Sequence, residues 1–246
     1  MAARLPPPQN CSKGNSNNIK TTHESSTKAL DDMYSQVLEY SFKDVKNPKD
    51  RQDLESIFRL VVGAIVILLN PLSAVSITEL LNEDGKIIQM RLRHLHSVLE
   101  VPDSQSDPIQ LLHLSFRDFL LDKERCSNQQ LWVDEKKMHA VLAYSCIRLM
   151  SGKLKRDICD LRLPGALVGE AHHRIEQCIS RELQYACQFW VQHLQRSETS
   201  LLDDGQEHKF LKEHLLHWLE ALSLMGKTSE GVLMITFLES LARVSN

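Results

Sequence analysis

The amino-acid sequence predicts a mainly α-helical protein with one short β-hairpin in its first half. Three observations carry that expectation. Glycine and proline are scarce, at 9 and 8 of 246 residues, while leucine is abundant. Apolar residues recur at three- and four-residue spacing over most of the chain. Aromatic residues make up 6%, low for an all-β core. Apolar residues at 42% and charged residues at 25% exclude wholesale disorder. A net charge of −3 argues against a globally basic nucleic-acid binder.

Residues 1–28, rich in Pro, Asn, Ser, Thr and Lys, are expected to form a disordered leader. The first amphipathic stripe is Leu30, Met33, Tyr34, Val37 and Leu38. A charged connector over 43–53 precedes a helix starting near Asp50 or Asp53, striped by Leu54, Ile57, Phe58, Val61, Ile65 and Leu68. After Leu60 that helix is apolar on most faces, which predicts deep burial. Asn70-Pro71 stops it. Ser76-Ile77-Thr78-Glu79 fits a capping box opening a short helix through Leu81. Ile88, Leu92, Leu95 and Leu99 stripe a third helix ending near His96.

Two extended segments follow, Ser97–Val101 and Ile109–Leu114, separated by the loop sequence PDSQSDP. Ser115-Phe116-Arg117-Asp118 is a second capping-box match, opening a helix over Phe116–Leu121. Three helices, a strand, a wing, a strand and a helix over 54–121 is the order of a winged helix. Beyond Asp122 four helical stripes are expected. They are Met138/Leu142/Cys146/Leu149, Leu183/Cys187/Trp190/Leu194, Leu211/Leu215/Trp218/Leu222 and Leu233/Phe237/Leu241/Val244. Residues 151–170, with Pro164-Gly165 at a turn, read as irregular, and Gly226 breaks the third stripe. The plan is a leader over 1–28, a winged-helix-like domain with a preceding helix over 29–125, and an α-helical bundle over 126–246. No internal repeat at a fixed period appears.

The longest apolar run, Leu60–Leu69, is ten residues, half of the roughly 20 a membrane span needs. The N-terminus has no apolar h-region and no cleavage pattern, so it does not read as a secretory signal. The six cysteines form no CxxC pair, which suits reduced thiols in a reducing compartment, the cytoplasm. GxxxxGK[ST] and GxGxxG are absent, so no phosphate cradle is encoded. GxSxG and HExxH are absent too. Nothing assembles a nucleophile, a base and an orienting group, so no enzyme and no catalytic residue is expected.

Histidines number eleven. His94/His96 and His172/His173 diverge around a helix and make poor ligands. His214 and His217 share a helix face, with His208 earlier, but a metal needs three or four converging ligands. No metal site is expected. Lys86, Arg91, Arg93, His94 and His96 occupy the third helix and its approach without an acid. A DNA-binding winged helix would place its recognition helix there, so a winged-helix DNA-binding regulator is the alternative reading. Three formal charges supply only a weak, salt-sensitive attraction. His113 stands at a strand end facing a helix N-terminus, where a side chain can meet an anion held by a neighbouring domain. Taken alone, a histidine between Leu112 and Leu114 reads as structural.

Eight blocks carry a resemblance: LDDMYSQVLEYS, FRLVVGAIVILLNPLSAVSITELL, RLRHLHSVLEVP, PIQLLHLSFRDFLLDKERC, WVDEKKMH, RLMSGKLKRDICDLRLPGAL, LQYACQFWVQHLQRS and FLKEHLLHWLEALSLMGKTSEGVLMI. In this order and spacing, over about Leu30 to Ser240, they resemble the fungal NACHT-domain proteins. Those are NOD-like signalling ATPases of the STAND class and heterokaryon-incompatibility type. The resemblance implies the winged-helix and helical segment that follows the NACHT core, with the Walker motifs upstream and repeats downstream of it. It implies a non-catalytic regulatory or interaction fragment that couples nucleotide state to incompatibility or cell-death signalling. No cofactor is implied in this chain; ATP or ADP belongs to the core. The implied partner is a NACHT core or a related NOD-like protein, met through an exposed helical surface. His113 in LLHLSFRDFLLD matches the family's winged-helix histidine, which contacts the β-phosphate of bound ADP and holds the closed state. An apolar patch left exposed near the wing and His113 follows from that expectation.

Overall fold

The computed structural model describes residues 16–43, 45–161, 175, 177–199 and 205–244. Nine helices and one two-stranded sheet account for the regular structure among them. The helices are α1 Ser16–Tyr40, α2 Pro48–Ile67, α3 Ala74–Leu81, α4 Gly85–Leu92, α5 Leu114–Leu121, α6 Glu135–Lys153, α7 Arg181–Ser197, α8 Gln206–Leu224 and α9 Thr228–Val244. Strands β1 (Leu99–Glu100) and β2 (Gln110–Leu111) lie between α4 and α5. The expected order of elements over 54–121 is the order observed.

Boundaries moved where local chemistry won. Helix α1 starts at Ser16 rather than Leu30, so residues 16–28 of the expected leader are helical; residues 1–15 lie outside the described residues. Helix α2 starts within the expected connector. Asn47 caps it by accepting from the Lys49 amide, and Pro48 fills the first position, where its missing N–H costs nothing. The cap of α3 is Ser73, which accepts from the Ser76 amide, not Ser76 itself. Asn82, at φ +57°, ends α3 in the left-handed conformation that asparagine tolerates. Helix α4 ends at Leu92, before His96, yet Ile88, Leu92, Leu95 and Leu99 are all buried as the stripe required. Pro164-Gly165 and His172/His173 fall outside the described residues.

The hairpin is shorter than expected. Leu99 pairs with Leu111 and Glu100 with Gln110, antiparallel. An isolated bridge joins Ser73 to Pro108, with the Ile109 amide donating to the Leu72 carbonyl at 3.0 Å. The second arm of the hairpin thus also pairs with the approach to α3.

One hydrophobic core runs from Tyr34 to Leu238 without a break at residue 126. Helix α2 packs on α6, α3 packs on α7, and α6 with α7 forms the most extensive pair. Val61, Val62, Ala64, Val66 and Ile67 of α2 are buried, as the apolar run predicted. A Cβ on Gly63 would stand 2.7 Å from Met138 Cε, which shows how closely α2 approaches α6. Two arginines complete helix ends in that first half. Arg117 donates to the Val66 carbonyl at 3.0 Å, and Arg148 donates to the Leu80 carbonyl at 2.8 Å. In α9 the buried positions are Met234 and Leu238, while Leu233 is 71% exposed. Of the expected stripe, Phe237 and Leu241 pack partly buried against the core and Leu233 does not.

Polar groups are buried between the halves. The Leu69 amide donates to Tyr185 Oη (3.1 Å), Tyr185 Oη lies 2.7 Å from His193 Nε2, and His193 Nδ1 lies 2.8 Å from His139 Nδ1. Tyr185 Oη accepts from the Leu69 amide and continues the hydrogen-bonded chain through His193 to His139. His139 Nε2 is left without a partner. Burial, aided by Arg196, pulls His139 down to about 4. Burial, aided by His139 and Arg196, pulls His193 down to about 3. Nearby, Glu182 accepts from Ser76 Oγ at 3.1 Å and from Ser180 Oγ, and meets Lys153 Nζ at 3.4 Å. Burial acts to raise its carboxyl, but those hydrogen bonds and Lys153 outweigh burial and hold it below the usual carboxylate value.

The five described cysteines are free thiols. Burial pushes Cys126 up to about 11 and Cys187 up to about 12, the behaviour of inert core thiols. No helix among the described residues is long and apolar enough to cross a membrane.

Two outcomes follow. Both histidines are neutral in the folded state and titrate near 6.5 when unfolded. Stability is therefore full above about pH 6.5 and falls as pH drops toward 4, with a slope approaching about 2.7 kcal/mol per pH unit from the pair. Urea midpoints measured across that range should show it, and His139→Leu should roughly halve the histidine part of the slope. Gly63→Val, which crowds Met138 and Val133, should destabilise by about 1–3 kcal/mol in the same assay.

Candidate functional site

His113 is the cap of α5, not a residue preceding a cap at Ser115. Its backbone is extended (φ −149°, ψ 136°) and its Nδ1 accepts from the Ser115 amide at 3.1 Å. The helix opens at Leu114, two residues earlier than the local sequence pattern implied. Ser115 Oγ lies 2.6 Å from the same ring nitrogen, and Tyr34 Oη of α1 lies 2.6 Å from Ser115 Oγ. The ring is exposed. Nδ1 is consumed by the cap, and Nε2 has no hydrogen-bond partner among the described residues.

Helix α1 is held against this site by charge and by rings. Arg125 forms a bidentate pair with Asp31, at 2.7 and 3.1 Å. Its Asp31 hydrogen bond and charge, with Asp122 and Asp118 beyond, raise the guanidinium despite burial. The Tyr34 ring packs on Phe116 and Phe119, with centroids 5.2 and 5.5 Å away.

Around the imidazole the surface is apolar. A cavity of about 230 Å³ is lined by Leu30, Met33, Tyr34, Leu112, His113 and Phe116, among others. Leu112 is 53% exposed and Leu114 70%. Leu30 and Met33, expected on the buried stripe of α1, are exposed instead, while Tyr34 and Leu38 from that stripe are buried. The expected apolar patch near the wing and His113 is present. Tyr34 and Ser115 are the site residues that sequence reasoning missed; a hydroxyl 81 positions away leaves no trace in local spacing.

The basic approach to the hairpin is less available than the sequence suggested. Arg91 is buried at 6% exposure, with its guanidinium 6.0 Å over the Phe42 ring and its Nε without a partner. Burial lowers its basicity. Lys86, Arg93, His94 and His96 remain exposed. A DNA-facing surface there loses one of its three formal charges.

His214 and His217 face each other, Nδ1 to Nδ1 at 3.3 Å, and His214 stacks on Phe210 with centroids 5.8 Å apart. No group of three or more His, Cys, Asp or Glu among the described residues could hold a metal ion.

No protein-family model matches the chain, and no solved structure matches it significantly. Among curated proteins it is similar to the vegetative incompatibility protein HET-E-1 of Podospora anserina, 29% identical over 236 residues. The match takes in 87% of this chain and 17% of that protein, so the chain spans about a sixth of the relative's length.

Proposed function

We propose that this chain is a non-catalytic regulatory segment of a fungal NACHT-type signalling protein of the incompatibility kind. In this reading its first half is a winged helix, its second half is a helical arm, and the two couple the nucleotide state of a NACHT core to signalling. The single observation that carries the reading is the state of His113. The ring is anchored through Nδ1 at the start of α5 and exposes Nε2 within an apolar rim.

Three further facts support it. The order of α2, α3, α4, β1, β2 and α5 fits a winged helix. The Ser73–Pro108 bridge stands where such a fold pairs the approach to its second helix with its last strand. The chain is similar to a fungal incompatibility protein over most of its length.

The mechanism is electrostatic. An imidazole N–H donating to a phosphate oxygen makes a charge-assisted bond, worth about 1.5–3 kcal/mol. In this reading the diphosphate would be held by the core, and His113 would add a bond that clamps the winged helix to it only while the diphosphate is bound. The apolar rim of Leu112, Leu114, Leu30 and Met33 would be buried in the clamped state. Loss of that contact would free the arm, turning a local charge event into a movement. ATP hydrolysis plays no part in what this chain does by itself.

His113→Asn separates the two roles of the residue, because asparagine is an excellent cap but lacks the outward nitrogen. With an ADP-loaded NACHT core titrated calorimetrically, the wild-type chain should bind saturably. His113→Asn should weaken binding roughly 10- to 100-fold at an unchanged melting temperature. Equal affinity of the two proteins removes the sensing role. The purified chain alone should release no phosphate from ATP; turnover above background would refute the non-catalytic assignment.

A further inference from the structure

Resting on the reading of His113 as a donor to an anionic oxygen, we propose that the Ser115 amide sets His113 as the Nε2–H tautomer and that the Ser115 and Tyr34 hydroxyls are positioning groups that reinforce it. The argument begins with the backbone. An amide N–H can only donate, and the Ser115 amide is directed at His113 Nδ1 at 3.1 Å. Nδ1 must therefore present its lone pair, and the neutral ring carries its hydrogen on Nε2. Ser115 Oγ, 2.6 Å from that same bare nitrogen, donates to it as well and shares its single lone pair with the amide. Its oxygen is then free to accept, and Tyr34 Oη at 2.6 Å supplies the hydrogen. The relay runs from the Tyr34 hydroxyl to the Ser115 hydroxyl to His113 Nδ1, each bond polarising the next.

Chemistry at the outward face depends on this direction. The opposite tautomer would turn a lone pair toward an incoming phosphate oxygen, and the contact would be repulsive. Tyr34 is 3% exposed and wedged between Phe116 and Phe119, so its hydroxyl reaches Ser115 only while α1 is seated. The Arg125–Asp31 pair, one turn earlier on α1, secures that seat. Helix α1 therefore enters the chemistry of the site without approaching the ligand, and the docking of α1 becomes a way to regulate it.

The experiment uses the whole chain, labelled with nitrogen-15, at pH 8. Imidazole spectra of His113 report the tautomer. A coupling across the hydrogen bond between the Ser115 amide nitrogen and His113 Nδ1 reports the cap. The expected wild-type result is a single Nε2–H form with the coupling present. Tyr34→Phe and Ser115→Ala should each shift the Nδ1 resonance toward that of a free imidazole mixture, and Ser115→Thr should restore the wild-type pattern. Tyr34→Phe keeps the buried ring, so it gives a readout even if Ser115→Ala does not fold. A wild-type His113 protonated on Nδ1, or a Nδ1 resonance unmoved by Tyr34→Phe, overturns the proposal. No nucleotide or partner is involved. An intact relay signature alongside failed binding to a NACHT core would therefore sink the functional reading and leave this one standing.

Discussion

Covering the second half of α2 is the constraint on which the rest of this structure depends. Val61, Val62, Ala64, Val66 and Ile67 present apolar surface all around the helix, so no single partner can bury it. Helix α6 covers one side, with Met138 Cε 2.7 Å from where a Cβ on Gly63 would stand. Arg117 of α5 accounts for the Val66 carbonyl, and Tyr185 of α7 accounts for the Leu69 amide just past the helix end. Groups from both halves of the chain thus finish the same helix. A polar chain of Tyr185, His193 and His139 then lies in the seam that this burial creates, with both rings kept neutral by the absence of water.

That packed frame positions His113, the residue on which the proposed switch rests. A sensor side chain must be aimed without being buried. Here the aim comes from the cap at α5 and from the hydroxyl of α1, while the tip of the ring stays open. The side chains around it, Leu112 and Leu114, are large, apolar and exposed, a costly arrangement in water that burial against another surface would relieve.

Parts of this were legible in the residues. The apolar run of α2 and the stripes of α6 and α7 carry strong periodicity, and their burial follows from it. The caps were harder, because a hydroxyl followed three positions later by an acid occurs in more than one register. Ser76 matches the capping pattern, but Ser73 wins because α3 must begin early enough to bury Ile77 and leave Ser76 free for Glu182. Ser115 matches it too, but His113 wins because Ser115 Oγ is drawn to Tyr34 and the ring. In α9, Leu233 and Met234 are both apolar, and spacing alone could not say which faces α8.

The sequence by itself determined the helical character of the chain, the position of its hairpin and the deepest helix. These follow from short-range regularities of spacing, composition and turn chemistry. Only the tertiary structure decided that Arg91 is sequestered, that both halves share one core, and that α1 supplies a hydroxyl to the site. Those outcomes depend on contacts between residues far apart in the chain, such as Tyr34 with Ser115 and Leu69 with Tyr185. Their energies arise from desolvation and hydrogen-bond geometry that exist only once the chain has closed on itself.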